Sequence, residues 1–373
     1  MTSFLKFFAS LALCFMMMSW STALTQQKSE LIITYDDSFN VNRIGIQNGC
    51  TELSRTDLQI INQYDRVIID IPDSYHDLYV LSCMLPAIWY SVEDSHPHFQ
   101  SISGCLYSKD GKTLLLQPFS QKVDTLVIPE GTQAIDVAAL QGKIRHISLP
   151  STMRTCAEAL TYNGYFAEIE SVSVSPQNTA FCTKDDILYT KDMRTLLFYP
   201  PQKLMDNFSV PEGTVYINDS AFAYACISVL TLPNSLLHIN EYAFWCSKIK
   251  RVEGGQHVVS IGSHAFEGSK QLYAVTCLEN ICHIGEMAFS DTRLTTVCLP
   301  ETLNTLPAQV FSECYHLCDV TILCMDICIA GDAFERIEPN RAQRKISIHC
   351  FPNSTAEAFA RQNGYDIQFI KRE

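Results

Sequence analysis

Residues 230–244 read LTLPNSLLHINEYAF, and residues 297–311 read VCLPETLNTLPAQVF. Both stretches open with alternating apolar residues that stop at a proline, carry one aliphatic residue further on, and close on a small residue followed by phenylalanine. Such alternation is typical of a β-strand, and proline ends the strand because it has no N–H to donate. The return of one pattern along the chain predicts a repeat protein.

The closing pair recurs every 22 or 23 residues in the second half of the chain. Its six copies are Ala221-Phe222, Ala243-Phe244, Ala265-Phe266, Ala288-Phe289, Val310-Phe311 and Ala333-Phe334, and an isoleucine or leucine stands four residues before each pair. A unit of this length cannot bury its own apolar face, so successive units must stack around a shared core. We therefore predict a β-rich solenoid with a parallel sheet and a buried column of these phenylalanines.

A longer unit occurs twice. GCLYSKDGKTLLLQP at residues 104–118 matches DILYTKDMRTLLFYP at residues 186–200, and each contains two strand-like runs around a Lys-Asp turn. Asp and Gly supply turn chemistry in the first copy. We predict two β-hairpin inserts in the solenoid. Between them, the pair Ala159-Leu160 falls one residue out of register with the other copies.

The chain closes with a segment that no longer repeats. Ser354 and Glu357 have the spacing of a capping box, and Gly364 stands where the following helix would end. This segment predicts a helical cap with one short closing strand. We divide the sequence into a signal peptide at residues 1–23, an N-terminal cap with degenerate repeats at 24–89, the solenoid at 90–345 and the C-terminal cap at 346–373.

The first 23 residues predict export. An apolar run that reaches Trp20 follows Lys6, and Ser21-Thr22-Ala23 offers small residues for cleavage. One alternative is a membrane anchor, but the run is shorter than the roughly 20 residues that span a bilayer. Another is lipidation at Cys14, where Leu13 fits the required motif poorly. We expect a secreted or cell-surface protein, monomeric, with no transmembrane span once the signal is removed.

The charge and the missing motifs argue against several classes of function. The formal net charge is −13, and no basic stripe is visible, so nucleic acid is not an expected partner. The sequence has neither a glycine-rich phosphate loop nor a nucleophile elbow. Paired carboxylates such as Asp185-Asp186 could serve glycoside hydrolysis, but their position before a hairpin strand favours a solvated turn. We expect no enzymatic activity and no cofactor.

The sixteen cysteines leave several alternatives open. Removal of Cys14 with the signal would leave an odd number, which cannot all pair within one chain. The densest group contains Cys314, His316, Cys318 and Cys324, followed by Cys328, with spacing close to that of zinc ligands. A metal site and a local disulfide are possible there. Buried free thiols are the expected state, because most cysteines fall inside the repeats.

Seven aromatic residues outside the repeat pattern are candidates for ligand contacts: Tyr162, Tyr165, Tyr199, Tyr224, Trp245, Tyr273 and Tyr315. Tyrosine and tryptophan are enriched at binding hot spots. Several of the seven follow an alanine-phenylalanine pair by a few residues, which predicts that they line one edge of the array. Ordinary packing between coils is the equally open alternative.

The repeat LPNSLLHINEYAFWCSKIKRV at residues 232–252, the two hairpin segments and the ending CFPNSTAEAFARQNGYDIQFI at residues 350–370 together resemble the BspA-like subclass of leucine-rich repeats. The resemblance implies a right-handed solenoid with parallel strands on one face. It also implies an exported or surface protein, chiefly bacterial, that binds host or microbial macromolecules, and it transfers no catalytic residue. The expected ligand is a protein or a glycan. A polysaccharide-active enzyme on a parallel β-helix and a structural envelope component are the alternatives.

Overall fold

The structure is a computed structural model that describes residues 30–121, 123–163, 168–336 and 345–371. The chain divides into two compact units, the first comprising residues up to 124 together with 131–143 and the second comprising the remainder. The predicted signal peptide lies outside the described residues. The predicted boundary at residue 89 falls within the first unit, which also contains the first hairpin.

The first unit begins with a four-stranded sheet whose strands lie in chain order: β1 (Leu31–Asp36), β2 (Val41–Ile46), β3 (Val67–Ile71) and β4 (Ala87–Val92). β1 and β2 form an antiparallel hairpin, whereas β2, β3 and β4 run parallel. The helices α1 (Arg55–Ile61) and α2 (Leu78–Ser82) connect the parallel strands. Ser54 and Asp57 form a capping box that starts α1. The parallel strands of this sheet are therefore joined by short helices.

Each predicted hairpin belongs to a run of three antiparallel strands within a larger mixed sheet. The first sheet contains β5 (Phe99–Ile102), β6 (Cys105–Ser108) and β7 (Thr113–Leu116), and the second contains β12 (Phe181–Lys184), β13 (Ile187–Thr190) and β14 (Thr195–Phe198). The last strand of each then pairs in parallel, β7 with β9 (Ala134–Ile135) and β14 with β16 (Tyr216–Ile217). The hairpins are confirmed. The second one begins a ladder of parallel strands, whereas the first one ends on a single parallel pair.

The second unit is the solenoid. Its strands of mostly three or four residues are β8 (Thr125–Val127), β10 (His146–Leu149), β11 (Ser171–Val174), β15 (Asn207–Ser209), β17 (Val229–Leu232), β19 (Arg251–Gly254), β21 (Ala274–Val275), β23 (Thr296–Leu299), β25 (Asp319–Ile322) and β27 (Ser347–Cys350). A second row of two-residue strands contains β18 (His238–Ile239), β20 (Ser260–Ile261), β22 (His283–Ile284), β24 (Thr305–Leu306) and β26 (Cys328–Ile329). Equivalent residues of successive coils face each other, as Leu230 faces Val252. The predicted repeat solenoid with parallel sheets is confirmed.

Both rows of strands are interrupted between the same two coils of the described solenoid, at β21/β23 and β22/β24. The turns of these coils stay joined, since the N–H of Phe289 donates to the carbonyl of Val310 at 2.9 Å. A cavity of ≈ 390 Å³ opens at the interruption, lined in part by Val275, Thr276 and Cys298. Between these two coils, the turns are therefore hydrogen-bonded to each other, whereas the strands of the two rows are not paired.

The phenylalanine column is confirmed. The six rings are buried, and successive ring centroids lie 4.9, 4.7, 5.1, 5.6 and 5.7 Å apart. Tyr199 extends the column at one end by stacking on Phe222 at 4.9 Å. Phe359 and Tyr365 lie against Phe334 at the other end. A single aromatic stack therefore runs through most of the second unit.

The turns that hold this column also pair through their backbones. The N–H groups of Tyr242, Phe244 and Cys246 donate to carbonyls of the next coil at 3.0, 2.6 and 2.8 Å. Tyr242 and Cys246 have left-handed backbones, with φ of 56° and 52°. The left-handed conformation costs a non-glycine residue roughly 1–2 kcal/mol, and the hydrogen bonds between coils offset that cost. The repeated turn thus fixes where the side chains on its outer edge lie.

The irregular pair Ala159-Leu160 lies in a helix, α3 (Ala157–Asn163), which replaces the tight turn of the other coils. Both side chains remain buried, at 1% and 0% exposure. The pair that is one residue out of register therefore stays in the core, in a coil whose tight turn is replaced by a helix.

The C-terminal cap follows the prediction. Ser354 caps α4 (Thr355–Asn363), and its hydroxyl accepts a hydrogen bond from the N–H of Glu357. Gly364 ends the helix in the left-handed conformation, with φ of 74°. The last strand, β28 (Asp366–Phe369), then pairs in parallel with β27. The cap covers the apolar end of the last coil.

Candidate binding surface

Four aromatic side chains meet on the outer edge of the turns of three successive coils. Trp245 lies edge-on to Tyr224 with centroids 5.1 Å apart, and edge-on to Tyr242 at 6.3 Å. Tyr242 stacks flat on His264, with centroids 4.6 Å apart and 2° between the ring planes. All four side chains are partly exposed. We call these four residues the aromatic edge.

The repeated turn explains this cluster. Tyr242 and His264 occupy the same position, directly before the alanine-phenylalanine pair, and share a left-handed backbone with φ of 56° and 58°. Equivalent side chains of stacked coils lie one coil spacing apart. Their ring separation accordingly matches the 4.7 Å between Phe244 and Phe266 in the interior. The aromatic edge is therefore an exterior counterpart of the buried column.

A polar contact orients the ring of His264, and nearby carboxylates affect Tyr242. His264 Nδ1 lies 2.8 Å from Glu267 Oε2, and both side chains are about one-quarter exposed, at 24% and 25%. Burial, together with the carboxylates of Glu267 and Glu241, raises the pKa of Tyr242. The phenol therefore stays neutral at physiological pH and can both donate and accept a hydrogen bond.

A second stacked pair lies on the neighbouring strands of the same coils. The rings of Tyr216 on β16 and His238 on β18 are 4.9 Å apart and 8° from parallel, and His238 Nδ1 lies 2.7 Å from Ser260 Oγ. Tyr216 is 38% exposed. Along the chain, residues 239–241, which include the polar residues Asn240 and Glu241, lie between His238 and Tyr242. Two polar residues therefore stand between the two aromatic clusters in the sequence.

Two of the seven aromatic residues singled out from the sequence, Tyr224 and Trp245, meet in this cluster. Tyr199 and Tyr315 instead point inward, at 0% and 7% exposure. Tyr199 takes the phenylalanine position of its coil, because its N–H donates to the carbonyl of Ala221 at 2.8 Å as phenylalanines do in later coils. Its side chain belongs to the core and cannot line a surface.

The remaining three candidates lie elsewhere. Tyr162 is a half-buried residue of α3, and burial raises the pKa of its hydroxyl. Tyr273 is 47% exposed and directly precedes β21, on the strand side of its coil. Tyr165 lies outside the described residues. The structure therefore does not bring the seven residues together as one site.

Sequence reasoning missed Tyr216, His238, Tyr242 and His264. The signal was present, because each of the pairs Tyr216/His238 and Tyr242/His264 is separated by one repeat length of 22 residues. Both pairs fall in positions that the repeat pattern had assigned to the framework. A comparison of residues that lie one repeat length apart would have revealed both pairs.

The thiols of the cysteine-rich segment differ in burial. Among the described residues, no three histidine, cysteine or acidic side chains are placed to hold one ion. Cys314 is fully buried, its thiol donates to the carbonyl of Phe289 at 3.1 Å, and burial raises its pKa to about 11. Cys324 is buried and Cys328 is exposed. All fifteen described cysteines are free thiols.

Comparison with known proteins agrees with this geometry. A family model for the BspA type leucine rich repeat region matches six copies, over residues 197–318 and 245–357. No curated protein matches the chain significantly. Within the described residues, no helix has the length and apolarity to cross a membrane.

Two solved structures are similar in fold. A leucine-rich repeat protein from Eubacterium ventriosum aligns with a TM-score of 0.59 and 18% identity, covering 84% of this chain and 95% of its own. The pneumococcal vaccine antigen PcpA aligns with a TM-score of 0.54 and 15% identity, covering 94% of this chain and 99% of its own. At these identities the likeness concerns the fold alone. Together with the six matched repeats, it shows that residues 197–357 of this chain contain leucine-rich repeats of the BspA type.

Proposed function

We propose that this chain is an exported, surface-associated protein that binds a host or microbial macromolecule, a protein or a glycan, and catalyses no reaction. The predicted signal peptide supports export. The BspA-type repeats support an extended binding scaffold, since stacked repeats present long continuous surfaces. The aromatic edge supplies the surface on which we place the contact.

The observation that carries the proposal is the arrangement of Tyr224, Tyr242, Trp245 and His264. Their positions are set by the stacked turns before any ligand arrives, so little side-chain entropy is lost on binding. Aromatic residues held in this way typically dominate the energy of an interface. Asn240 and Glu241 nearby supply the hydrogen-bonding groups that a sugar hydroxyl or a peptide group needs.

A non-catalytic role is supported by what the candidate reactive groups do. Asp185 and Asp186 form the turn between β12 and β13 with left-handed backbones, and Asp186 binds Lys203 at 2.9 Å. Burial raises the pKa of Cys105 and Cys277 to about 12, which keeps these thiols protonated. These groups are occupied in maintaining the fold.

The test measures binding of the full chain to immobilised matrix proteins and polysaccharides. We expect saturable binding to at least one, and Trp245→Ala should weaken it by about 30-fold, since hot-spot truncation costs about 2 kcal/mol or more. Phe119→Ala removes a different exposed aromatic side chain and should leave binding unchanged. In a Trp89→Phe background with residues 1–23 removed, Trp245 is the one remaining tryptophan, and its fluorescence should report the same binding curve.

Three results would contradict the proposal. Absence of saturable binding to every immobilised ligand would favour a structural envelope component. Binding that survives Trp245→Ala would remove the aromatic edge from the interface. Release of new sugar ends from a polysaccharide, lost when one carboxylate is substituted, would establish an enzyme.

A further inference from the structure

We propose that His76 and His98 form a zinc-binding site on the first compact unit, with water completing the coordination of the ion. These two residues, which we call the histidine pair, lie in a different unit from the aromatic edge. The proposal rests on the separation of the two rings, on the availability of their nitrogens and on the charge of the loops that carry them. It does not depend on the binding function proposed above.

Two loops at one edge of the N-terminal sheet carry the histidine pair. Residues 72–77 follow β3 and contain His76, whereas residues 93–98 follow β4 and contain His98. Because β3 and β4 are parallel neighbours, the loops that follow them leave the sheet at the same edge. Two histidines that are distant in the sequence thus become neighbours.

The buried His96 holds the two loops against each other. Its Nε2 lies 3.1 Å from the carbonyl oxygen of Pro72 in the first loop, and its Nδ1 accepts a hydrogen bond from the N–H of His98 at 3.2 Å. A turn orders each loop, since the N–H of Tyr75 donates to the carbonyl of Pro72 and the N–H of His96 donates to that of Glu93. The backbones that carry the histidine pair are therefore fixed before any ion binds.

The two rings have nearly the separation that a shared ion requires. Both side chains are exposed, and their ring centroids lie 5.5 Å apart with 50° between the planes. Zinc binds an imidazole nitrogen at about 2.0–2.1 Å, so two imidazoles on one tetrahedral ion have centroids about 5 Å apart. The pair can therefore reach this arrangement by rotation of exposed side chains, without movement of the backbone.

The ring nitrogens of the pair are available to an ion. Among the described residues, neither ring forms a hydrogen bond or an ion pair, in contrast to His349, whose Nε2 lies 3.1 Å from Asp319 Oδ1. Neutral imidazole is the commonest metal ligand in proteins. In the described part of the chain no third histidine, cysteine or acidic side chain converges on the same point, so water supplies the remaining ligands.

The loops add an excess of negative charge around the pair. Asp73 and Asp77 lie in the first loop and Glu93 and Asp94 in the second, and neither loop contains lysine or arginine. None of these four carboxylates forms a salt bridge within the described residues. Lys109 of the first hairpin approaches the second loop, where its ammonium donates to the carbonyl of Asp94. Four carboxylates against one ammonium favour the approach of a divalent cation.

The ligand type selects zinc among the common divalent cations. Imidazole nitrogen suits zinc and its first-row neighbours, whereas calcium and magnesium prefer oxygen ligands. A four-coordinate zinc ion on two histidines keeps two positions for water. A carboxylate or an imidazole of another molecule can replace that water, so the bound ion stays open to exchange.

The experiment titrates zinc into the full chain by isothermal titration calorimetry. Cys282, Cys298 and Cys328 are first replaced by serine, so that exposed thiols do not bind the ion. We expect the tightest site to take one ion per chain. His76→Gln and His98→Gln should each weaken that site at least about tenfold, because either change leaves a single histidine ligand. Millimolar calcium should not displace the zinc.

His283→Gln is the matched control, since it removes an exposed histidine of β22 in the second unit and should leave zinc binding unchanged. Circular dichroism checks that all three variants fold, as expected for exposed side chains. The proposal is overturned if no zinc binds at millimolar concentration, or if the three variants affect binding equally. Displacement of the zinc by calcium would also overturn it, because that result would indicate a site made of carboxylates.

Discussion

At the scale of single residues, the distance between coils depends on positions where no side chain fits. Gly285 follows the isoleucine of its coil, and a Cβ built there would lie 2.2 Å from the backbone nitrogen of Ser263. The equivalent residue two coils earlier is Asn240, so this position of the repeat holds a side chain in another coil. Glycine at residue 285 therefore reflects a close backbone approach and not a need for unusual φ.

We predict that Gly285→Ala lowers the free energy of unfolding by about 1–3 kcal/mol, because the backbone of the neighbouring coil must shift. Gly331→Ala is the matched control, since a Cβ there meets no atom within 4 Å. Urea denaturation followed by circular dichroism measures both variants. Equal stability of the two variants would show that the coils at Gly285 are not in close contact.

A second residue-scale feature is the buried His96 in the first unit. Its Nδ1 accepts hydrogen bonds from the N–H groups of His98 and Phe99 at 3.2 and 3.1 Å, and its Nε2 lies 3.1 Å from the carbonyl of Pro72. Nδ1 must therefore be unprotonated, and Nε2 carries the proton. Burial lowers the pKa of His96 below its ordinary value of 6.5. The folded state thus holds the neutral ring.

This pKa shift predicts a loss of stability in acid. Because the unfolded chain binds the proton more readily, the contribution of His96 is complete above pH 6.5 and falls as the pH drops towards the folded pKa. Urea midpoints of the wild type should fall between pH 7.5 and 5. His96→Gln can keep the hydrogen bonds without titrating, so part of that fall should disappear. An unchanged pH dependence would contradict the assigned protonation state.

At the scale of the secondary-structure element, each coil contributes one phenylalanine to a shared stack. Phe266 lies between Phe244 at 4.7 Å and Phe289 at 5.1 Å and is fully buried. No coil could bury this ring alone, because both of its faces are covered by neighbouring coils. The stability of one coil is thus inseparable from that of the next.

We predict that Phe266→Ala costs about 3–5 kcal/mol, since the loss of the buried ring leaves a cavity between two coils. Phe119→Ala, at a residue that is 45% exposed, should cost much less. Thermal unfolding followed by circular dichroism compares the two variants. A small effect of Phe266→Ala would indicate that neighbouring side chains fill the cavity and that the column contributes little to stability.

At the scale of the whole molecule, the described chain has fifteen free cysteines that differ widely in exposure. Cys282, Cys298 and Cys328 are exposed, and seven others are buried. Burial raises the pKa of Cys156 to about 12, so this thiol stays protonated and inaccessible at neutral pH. Reactivity should therefore follow exposure.

We predict that the native protein shows two rapidly reacting thiols at pH 7.5, Cys282 and Cys328, because burial raises the pKa of Cys298 and slows its reaction. The denatured protein, with its signal removed, should show fifteen thiols. Titration with a chromogenic disulfide reagent, with and without guanidinium, measures both numbers. Cys282→Ser should remove one rapid thiol, whereas Cys156→Ser should remove none. Fewer than fifteen thiols after denaturation would reveal a disulfide.

The sequence by itself determined the repeat period, the strands, both hairpins, the six-phenylalanine column and the C-terminal cap, because all of these depend on local residue pattern. Only the tertiary structure decided which aromatic residues are exposed. Tyr199 and Trp245 look alike as bulky residues near a repeat boundary, yet one fills a phenylalanine position and the other lies on the outer edge. Likewise, the stacking of Tyr242 on His264 depends on which coils become neighbours. Spacing along the chain specifies what each coil contains, but exposure depends on what the adjacent coils cover.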